Sequence, residues 1–156
     1  MNPAPHDVSE ILAAARARIG PAPYAGAVTP QEAHVLLEAD ANVKLIDVRT
    51  IAERDWVGRV AIAPAQHVAV EWNFYPGGAL NAGFMEQLAG VAGKQDVLLF
   101  LCRSGVRSRH AAKLATENGY ANCYDILEGF EGDKDGSGHR KTVGGWCKAG
   151  LPWLGA

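Results

Sequence analysis

Cys102 closes an uninterrupted apolar run, Val97-Leu98-Leu99-Phe100-Leu101, and is followed at once by Arg103-Ser104-Gly105-Val106-Arg107-Ser108. A thiol, a glycine and two arginines packed this closely form a set with chemical meaning. The thiolate is the nucleophilic form of cysteine. Gly105 admits a turn that other residues resist, one that aims backbone N–H groups at the sulfur. From Arg109 the chain reads as a helix, whose N-terminal end carries partial positive charge, and Arg103 and Arg107 add full charges. All of these favour thiolate over thiol, and the same donors suit an anionic group attached to the sulfur. A nucleophile ionised in this way needs no separate general base.

Such a loop has to be carried by a scaffold, and the pattern around it supplies one. Val97–Leu101 is apolar throughout, as expected for a strand covered on both faces. Residues 43–49 read as a second buried strand ending in polar residues, followed by a short helical turn over 50–55. Further strands are expected over 65–70 and 121–127. Thr29-Pro30-Gln31-Glu32 is a capping box with proline at the first helical position, opening a helix that turns Val35, Leu36 and Ala39 inward. Helices are also expected over 81–88 and from the Cys102 loop to about Asn118, where Gly119 ends it. Strand and helix patterns alternate from 28 to 127, which predicts a central parallel sheet with helices on both faces, an α/β fold. In such sheets ligands sit beyond the carboxyl ends of the strands, where Cys102 lies.

The flanks are less regular. Residues 1–6 read as a loose terminus, and Ser9 is placed to cap an extra N-terminal helix from Glu10 to Ile19 with Ile11, Leu12, Ala15 and Ile19 on one face. Residues 20–26, rich in Pro and Gly, form a connector. This divides the chain into a helical extension with its connector (1–26) and the main domain (27–156). The run from Glu71 to Gly78 is aromatic, with Trp72, Phe74 and Tyr75; it is expected at the core edge, as an apolar wall beside the Cys102 loop where it lines a pocket. The Gly-rich tail from Glu128 to Trp153 reads as irregular structure pinned by Trp146 and Trp153.

Composition narrows the function. The chain has 156 residues, 48% hydrophobic and 21% charged, enough for one core in one domain. A net charge of −2 offers no basic face for nucleic acid. The first apolar run, Ile11 to Ala15, is too short to span a membrane, and His6, Asp7 and Glu10 precede it where a secretion signal needs positive charge. A cytoplasmic protein with neither nucleic-acid nor membrane partner is the expectation. Three widely spaced cysteines, Cys102, Cys123 and Cys147, support neither a disulfide framework nor a metal knuckle. Cys123 reads as a buried strand residue. Cys147, beside Trp146, reads as a packed free thiol, with a resolving role for Cys102 as its alternative. Residues 133–138 are similar to half of a calcium loop, but Gly144 stands where the bidentate glutamate belongs, so a polar excursion carrying His139 and Arg140 is expected and no metal.

The stretch from Cys102 to Ser108 resembles the active-site loop of the rhodanese superfamily of sulfurtransferases, and Asp47-Val48-Arg49 resembles that family's upstream strand-end motif. The order of elements over roughly 28–153 is similar to a single rhodanese module. The resemblance implies that Cys102 attacks the outer sulfur of a thiosulfate-like donor, forms a persulfide, and passes the sulfur to cyanide or a thiol, without metal or organic cofactor. It implies that the backbone amides of Arg103, Ser104, Gly105, Val106 and Arg107 hold the persulfide, and that Arg107 and Arg103 bind the donor's sulfonate. Cys-x4-Arg, the spacing here, resembles the sulfurtransferases; related phosphatases and arsenate reductases have one residue more. A carrier that hands persulfide sulfur to a protein partner is the main alternative, and phosphatase or arsenate reductase the lesser one. Asp47, Arg49 and Trp72 are candidate supporting residues, with Asp47 expected to satisfy backbone donors near the loop and Arg49 to pair with Glu53. One departure is the segment from Gly58 to Ala65, which lacks the histidine common in the family at that place.

Overall fold

The computed structural model describes residues 8–155; the terminus expected to be loose, residues 1–6, lies outside the described residues. In chain order the elements are α1 (Val8–Ile19), β1 (Gly26–Val28), α2 (Pro30–Ala39), β2 (Lys44–Asp47), α3 (Ile51–Trp56), β3 (Arg59–Val60), β4 (His67–Ala69), α4 (Phe84–Ala89), β5 (Val97–Leu101), α5 (Val106–Glu117), β6 (Asn122–Ile126) and β7 (Trp153–Leu154). Five strands form one parallel sheet in the order β1-β6-β5-β2-β4, with β5 at its centre. Helices cover both faces, as the alternating pattern predicts.

Alternation along the strands divides the core in two. Leu45, Leu99, Leu101, Tyr124 and Ile126 face the side covered by α1 and α2, with Phe130 and Trp146 of the tail. Ile46, Val48, Leu98, Phe100 and Cys123 face the opposite side, where α4 contributes Phe84 and Leu88 and α5 contributes Ala111, Ala112 and Ala115. The small residues of α5 bring its backbone close to the sheet. Removing one large core side chain such as Phe100 would cost about 3–5 kcal/mol.

Local chemistry sets the element ends. At α2 the capping box forms: the Glu32 N–H donates to Thr29 Oγ1 (3.1 Å), and Glu32 Oε1 accepts from the Thr29 N–H (2.9 Å). The first helix begins at Val8 rather than Glu10, so Ser9 lies inside it and is not its cap; Val8 packs on the core and extends the helix. Ile11 and Ala15 are fully buried, and Arg18 on the same helix donates to the Ala27 carbonyl of β1 (2.6 Å) and to Glu32 (2.8 Å). The strand expected over 65–70 is a short 3-10 turn (Pro64–Gln66) followed by β4, because Gln66 turns inward and donates to the carbonyls of Leu37, Asp40 and Val43. The helix expected from Asn81 starts at Phe84, since Asn81 Oδ1 accepts from the Gly83 N–H (3.0 Å) and makes a turn first. The tail is pinned by Trp146, fully buried with its indole N–H on the Pro152 carbonyl, and adds the strand β7, antiparallel to β3. Two-residue strands are too short to show a sequence period.

Candidate active site

Cys102 is the first residue after β5, at the carboxyl edge of the sheet, and is 1% exposed. Gly105 has φ +108°, a left-handed conformation that places its N–H 3.0 Å from Cys102 Sγ as a donor. The next residue begins α5, so the positive end of that helix abuts the loop. The segment after β6 braces the loop from behind. The Phe130 N–H donates to the Cys102 carbonyl (2.8 Å), and the Glu131 and Gly132 N–H groups donate to the Arg103 carbonyl (2.9 and 3.2 Å). With those carbonyls fixed on residues 130–132, the amide side of the turn is left to the sulfur. Gly129 makes the approach possible: a Cβ there would lie 2.6 Å from the Arg103 carbonyl carbon and the Cys102 oxygen.

In front of the loop opens a cleft of about 690 Å3, lined among others by Glu53, Trp56, Phe74, Tyr75, Arg103 and Arg107. The aromatic run therefore does form a wall of it. Trp56 and Tyr75 stand 82% and 72% exposed at the rim. Arg107 forms a two-bond ion pair with Glu53, Nη1 to Oε1 at 2.7 Å and Nη2 to Oε2 at 2.8 Å. Hydrogen bonding to Glu53 raises the Arg107 pKa. Burial alone would push Glu53 up, but the Arg107 hydrogen bonds and the Thr50 N–H hold it below the usual carboxylate range. Glu53 belongs to a capping box of its own, with Thr50 at the start of α3. Thr50-x-x-Glu53 is visible in the sequence; its role in holding Arg107 is what sequence reasoning missed. Arg103 is exposed and has no ion-pair partner among the described residues, so its charge is the uncompensated one in the cleft. Ser104 lies part-exposed in the loop, and Val106 opens α5 with its side chain half exposed.

Arg49 does not pair with Glu53. It turns inward from the end of β2, fully buried, with Nε and Nη2 on the two oxygens of Asp47 (both 2.9 Å) and its guanidinium 4.3 Å from the centre of the Phe130 ring. Asp47 accepts one backbone donor, the Arg49 N–H, and the His67 Nε2–H at 3.0 Å. Burial works against its charge, yet Arg49 foremost and His67 next hold its carboxyl well below the usual range. Trp72 packs edge-on against Phe84 (5.1 Å) in the core cluster that contains Cys102 and does not line the cleft; its neighbours Asn73, Phe74 and Tyr75 do.

A second line of polar groups runs behind the sulfur. The Cys102 thiol donates to Ser108 Oγ (3.3 Å), and the Ser108 hydroxyl donates to Asp125 Oδ1 (2.5 Å). Ser108 belongs to the recognisable loop, but Asp125 comes from β6 and has no local sequence signal beyond a charge in a buried strand. The other two thiols are shielded: burial pushes Cys123 and Cys147 each up to about 11. Asp135 uses its side chain on its own loop, accepting from the Ser137 and His139 N–H groups and the Thr142 hydroxyl. No group of three or more His, Cys, Asp or Glu among the described residues is placed to hold a metal ion. No helix of the described residues is long and apolar enough to cross a membrane.

Comparison with known proteins places the arrangement. The family profile "Rhodanese-like domain" matches residues 29–135. An uncharacterised protein of Rickettsia conorii is 34% identical over 125 residues, covering 78% of this chain and 91% of the relative. The crystal structure of Rv0390 from M. tuberculosis is 39% identical with a TM-score of 0.78, covering 85% of this chain and 99% of that one. The polysulfide-sulfur transferase homodimer from Wolinella succinogenes shares the fold at 20% identity and a TM-score of 0.58, covering 93% of this chain and 85% of that one. On the matched profile, the five-stranded parallel sheet and these relatives, the chain belongs to the rhodanese-like family.

Proposed function

We propose that this protein is a cytoplasmic sulfurtransferase that moves sulfane sulfur from a thiosulfate-like donor to cyanide or a thiol through a persulfide on Cys102. The observation that carries this reading is the sulfur itself: Cys102 Sγ lies at the carboxyl end of the central strand, receives the Gly105 N–H at 3.0 Å, and is linked to Arg107 by a four-residue loop. In the first half-reaction the Cys102 thiolate attacks the outer sulfur of thiosulfate; a new S–S bond forms, the donor's S–S bond breaks, and sulfite leaves with the bonding pair. In the second, the acceptor attacks the outer sulfur and Cys102 leaves as thiolate. The amides of residues 103–107 and the start of α5 hold the anionic persulfide. Arg103 receives the donor's sulfonate, with Arg107 sharing its charge between donor and Glu53. Asp47 and Arg49 shape the strand end, and Trp72 backs the aromatic wall. No cofactor enters the scheme.

Exposed Trp56 and Tyr75 at the cleft mouth favour one further reading, in which the acceptor is a thiol on a protein partner. Intact mass after addition of thiosulfate tests the persulfide common to both: a gain of one sulfur atom, absent in Cys102→Ser, is expected. No adduct, together with hydrolysis of phosphate esters, would overturn it. Turnover with cyanide, small thiols and protein thiols then separates the acceptors. Cys147→Ser is expected to leave persulfide formation intact.

A further inference from the structure

Three buried groups stand in a row behind the nucleophile, on one face of the sheet. Asp125 lies on β6 directly across from Phe100 of β5. Residues two apart on a strand share a face, so Cys102 and Asp125 both look toward α5. Ser108, in the first turns of α5, sits between them, receiving from the Cys102 thiol and giving to Asp125 Oδ1. Cys102 is 1% exposed, and Ser108 and Asp125 are fully buried. A hydroxyl has one proton to give, so the row has a direction: thiol to serine to carboxylate.

The setting of Asp125 makes it a proton acceptor rather than a fixed charge. Ser108 is the hydrogen-bond donor to its Oδ1, and its buried Oδ2 has no hydrogen-bond partner among the described residues. A desolvated carboxylate with one donor is poorly held as an ion. The charged and titratable groups facing it are Arg109 from α5, Tyr24 from the segment entering β1, and Cys102 through Ser108; its cross-strand neighbours, Ala27 and Phe100, carry no charge. Burial pushes Asp125 up to about 7 against the opposing pull of Ser108 and Arg109. A base is most effective when it titrates near the working pH.

We propose that Asp125 is a positioning residue that takes the Cys102 proton through Ser108, so that the thiolate and a neutral Asp125 carboxyl form together. The S–H bond of Cys102 breaks as its proton passes to Ser108 Oγ, and the Ser108 O–H bond breaks as that proton passes to Asp125 Oδ1. The negative charge moves from carboxylate to sulfur, and nothing is oxidised or reduced. Ser108 then donates to the thiolate alongside Gly105. The charge ends beside two donors and a helix N-terminus instead of one donor. An anionic sulfur on Cys102 meanwhile has no second negative charge buried behind it. This rests on the reading of Cys102 as the nucleophile, but not on any donor or acceptor of sulfur.

The rate of Cys102 alkylation by iodoacetamide, followed against pH by peptide mass on the full chain, tests it without any sulfur substrate. A pair sharing one proton titrates in two steps. The wild type is therefore expected to show a neutral-pH plateau of partial reactivity and a second rise at alkaline pH. Asp125→Asn is expected to give a single ionisation with no plateau, and Ser108→Ala a plateau about tenfold lower. A single ionisation in the wild type, two steps persisting in Asp125→Asn, or a wild-type plateau in Ser108→Ala each overturns the proposal. If Asp125→Asn does not fold, the wild-type profile and Ser108→Ala decide. Failure here with a thiosulfate mass adduct intact removes the relay alone; loss of the adduct with a two-step profile removes the sulfur donor alone.

Discussion

Asp47 and Asp125 occupy matching places on either side of the central strand that ends at Cys102. Asp47 of β2 pairs in register with Leu101, Asp125 of β6 with Phe100, and both are fully buried. Their registers differ by one residue, and that step puts them on opposite faces of the sheet. Asp47 falls on the face of Phe130 and Trp146, where Arg49 neutralises it and His67 hydrogen-bonds to it. Asp125 falls on the face of Cys102 and α5, where Ser108 is its one hydrogen-bond donor among the described residues and Arg109 adds a weaker pull. Equal burial thus yields one carboxyl held ionised and another raised to about 7. Partner charge, not depth, decides what a buried acid does.

The comparison breaks most visibly at Asp47. Asp47→Asn keeps the shape but leaves the buried Arg49 charge without its counterion, and urea unfolding at pH 7 is expected to show a loss of about 3–5 kcal/mol. The two acids also predict opposite pH trends. Asp47, depressed in the folded state, contributes stability above its unfolded pKa that is lost as pH falls through acid values. Asp125, raised in the folded state, costs nothing below its unfolded pKa and costs progressively more as pH climbs from about 4 to 7. Asp125→Asn is expected to remove that decline, worth roughly 4 kcal/mol by pH 8 at the cited shift; unfolding midpoints across pH 4–8 measure it. A third carboxylate extends the series. Glu53→Gln should cost about 1–2 kcal/mol of stability, because one charge-assisted pair is lost. It should also lower the KM for thiosulfate several-fold, since Arg107 is released to the cleft. A KM that stays put would separate Arg107 from donor binding. Smallest is His67→Ala, which leaves Asp47 its arginine and should cost about 1 kcal/mol in the same unfolding assay.

Much of this was legible in the chain. The apolar run to Leu101, the Cys-x4-Arg spacing and the glycine between them located the central strand, its loop and the place of Cys102 at the strand end. The capping box at Thr29 located α2. What local pattern does not carry is which strands become neighbours. The order β1-β6-β5-β2-β4 brings a residue 23 positions beyond Cys102 to its back. Once that order and a parallel register are known, the strand period of two assigns Asp125 to the sulfur and Asp47 to the far side. Nearness in sequence favours a pair between Arg49 and Glu53, whereas the strand end sends Arg49 inward to Asp47 and the α3 cap holds Glu53 toward the cleft. The start of α1 at Val8 and the pairing of β7 with β3 depend on packing and on a two-residue partner, neither of which leaves a period to read.

The bond from Arg18 to the Ala27 carbonyl has a consequence for how this protein behaves in a crowded solution. β1 ends the sheet, and an open strand edge is a template on which another chain can add itself. On β1 the middle carbonyl of three residues is already occupied, by a side chain that Glu32 holds in place. Beside it, Gly26 meets the α1 backbone so closely that a Cβ would lie 2.8 Å from Ala15. The N-terminal helix therefore leaves the β1 edge of the sheet poorly suited to pairing with another strand.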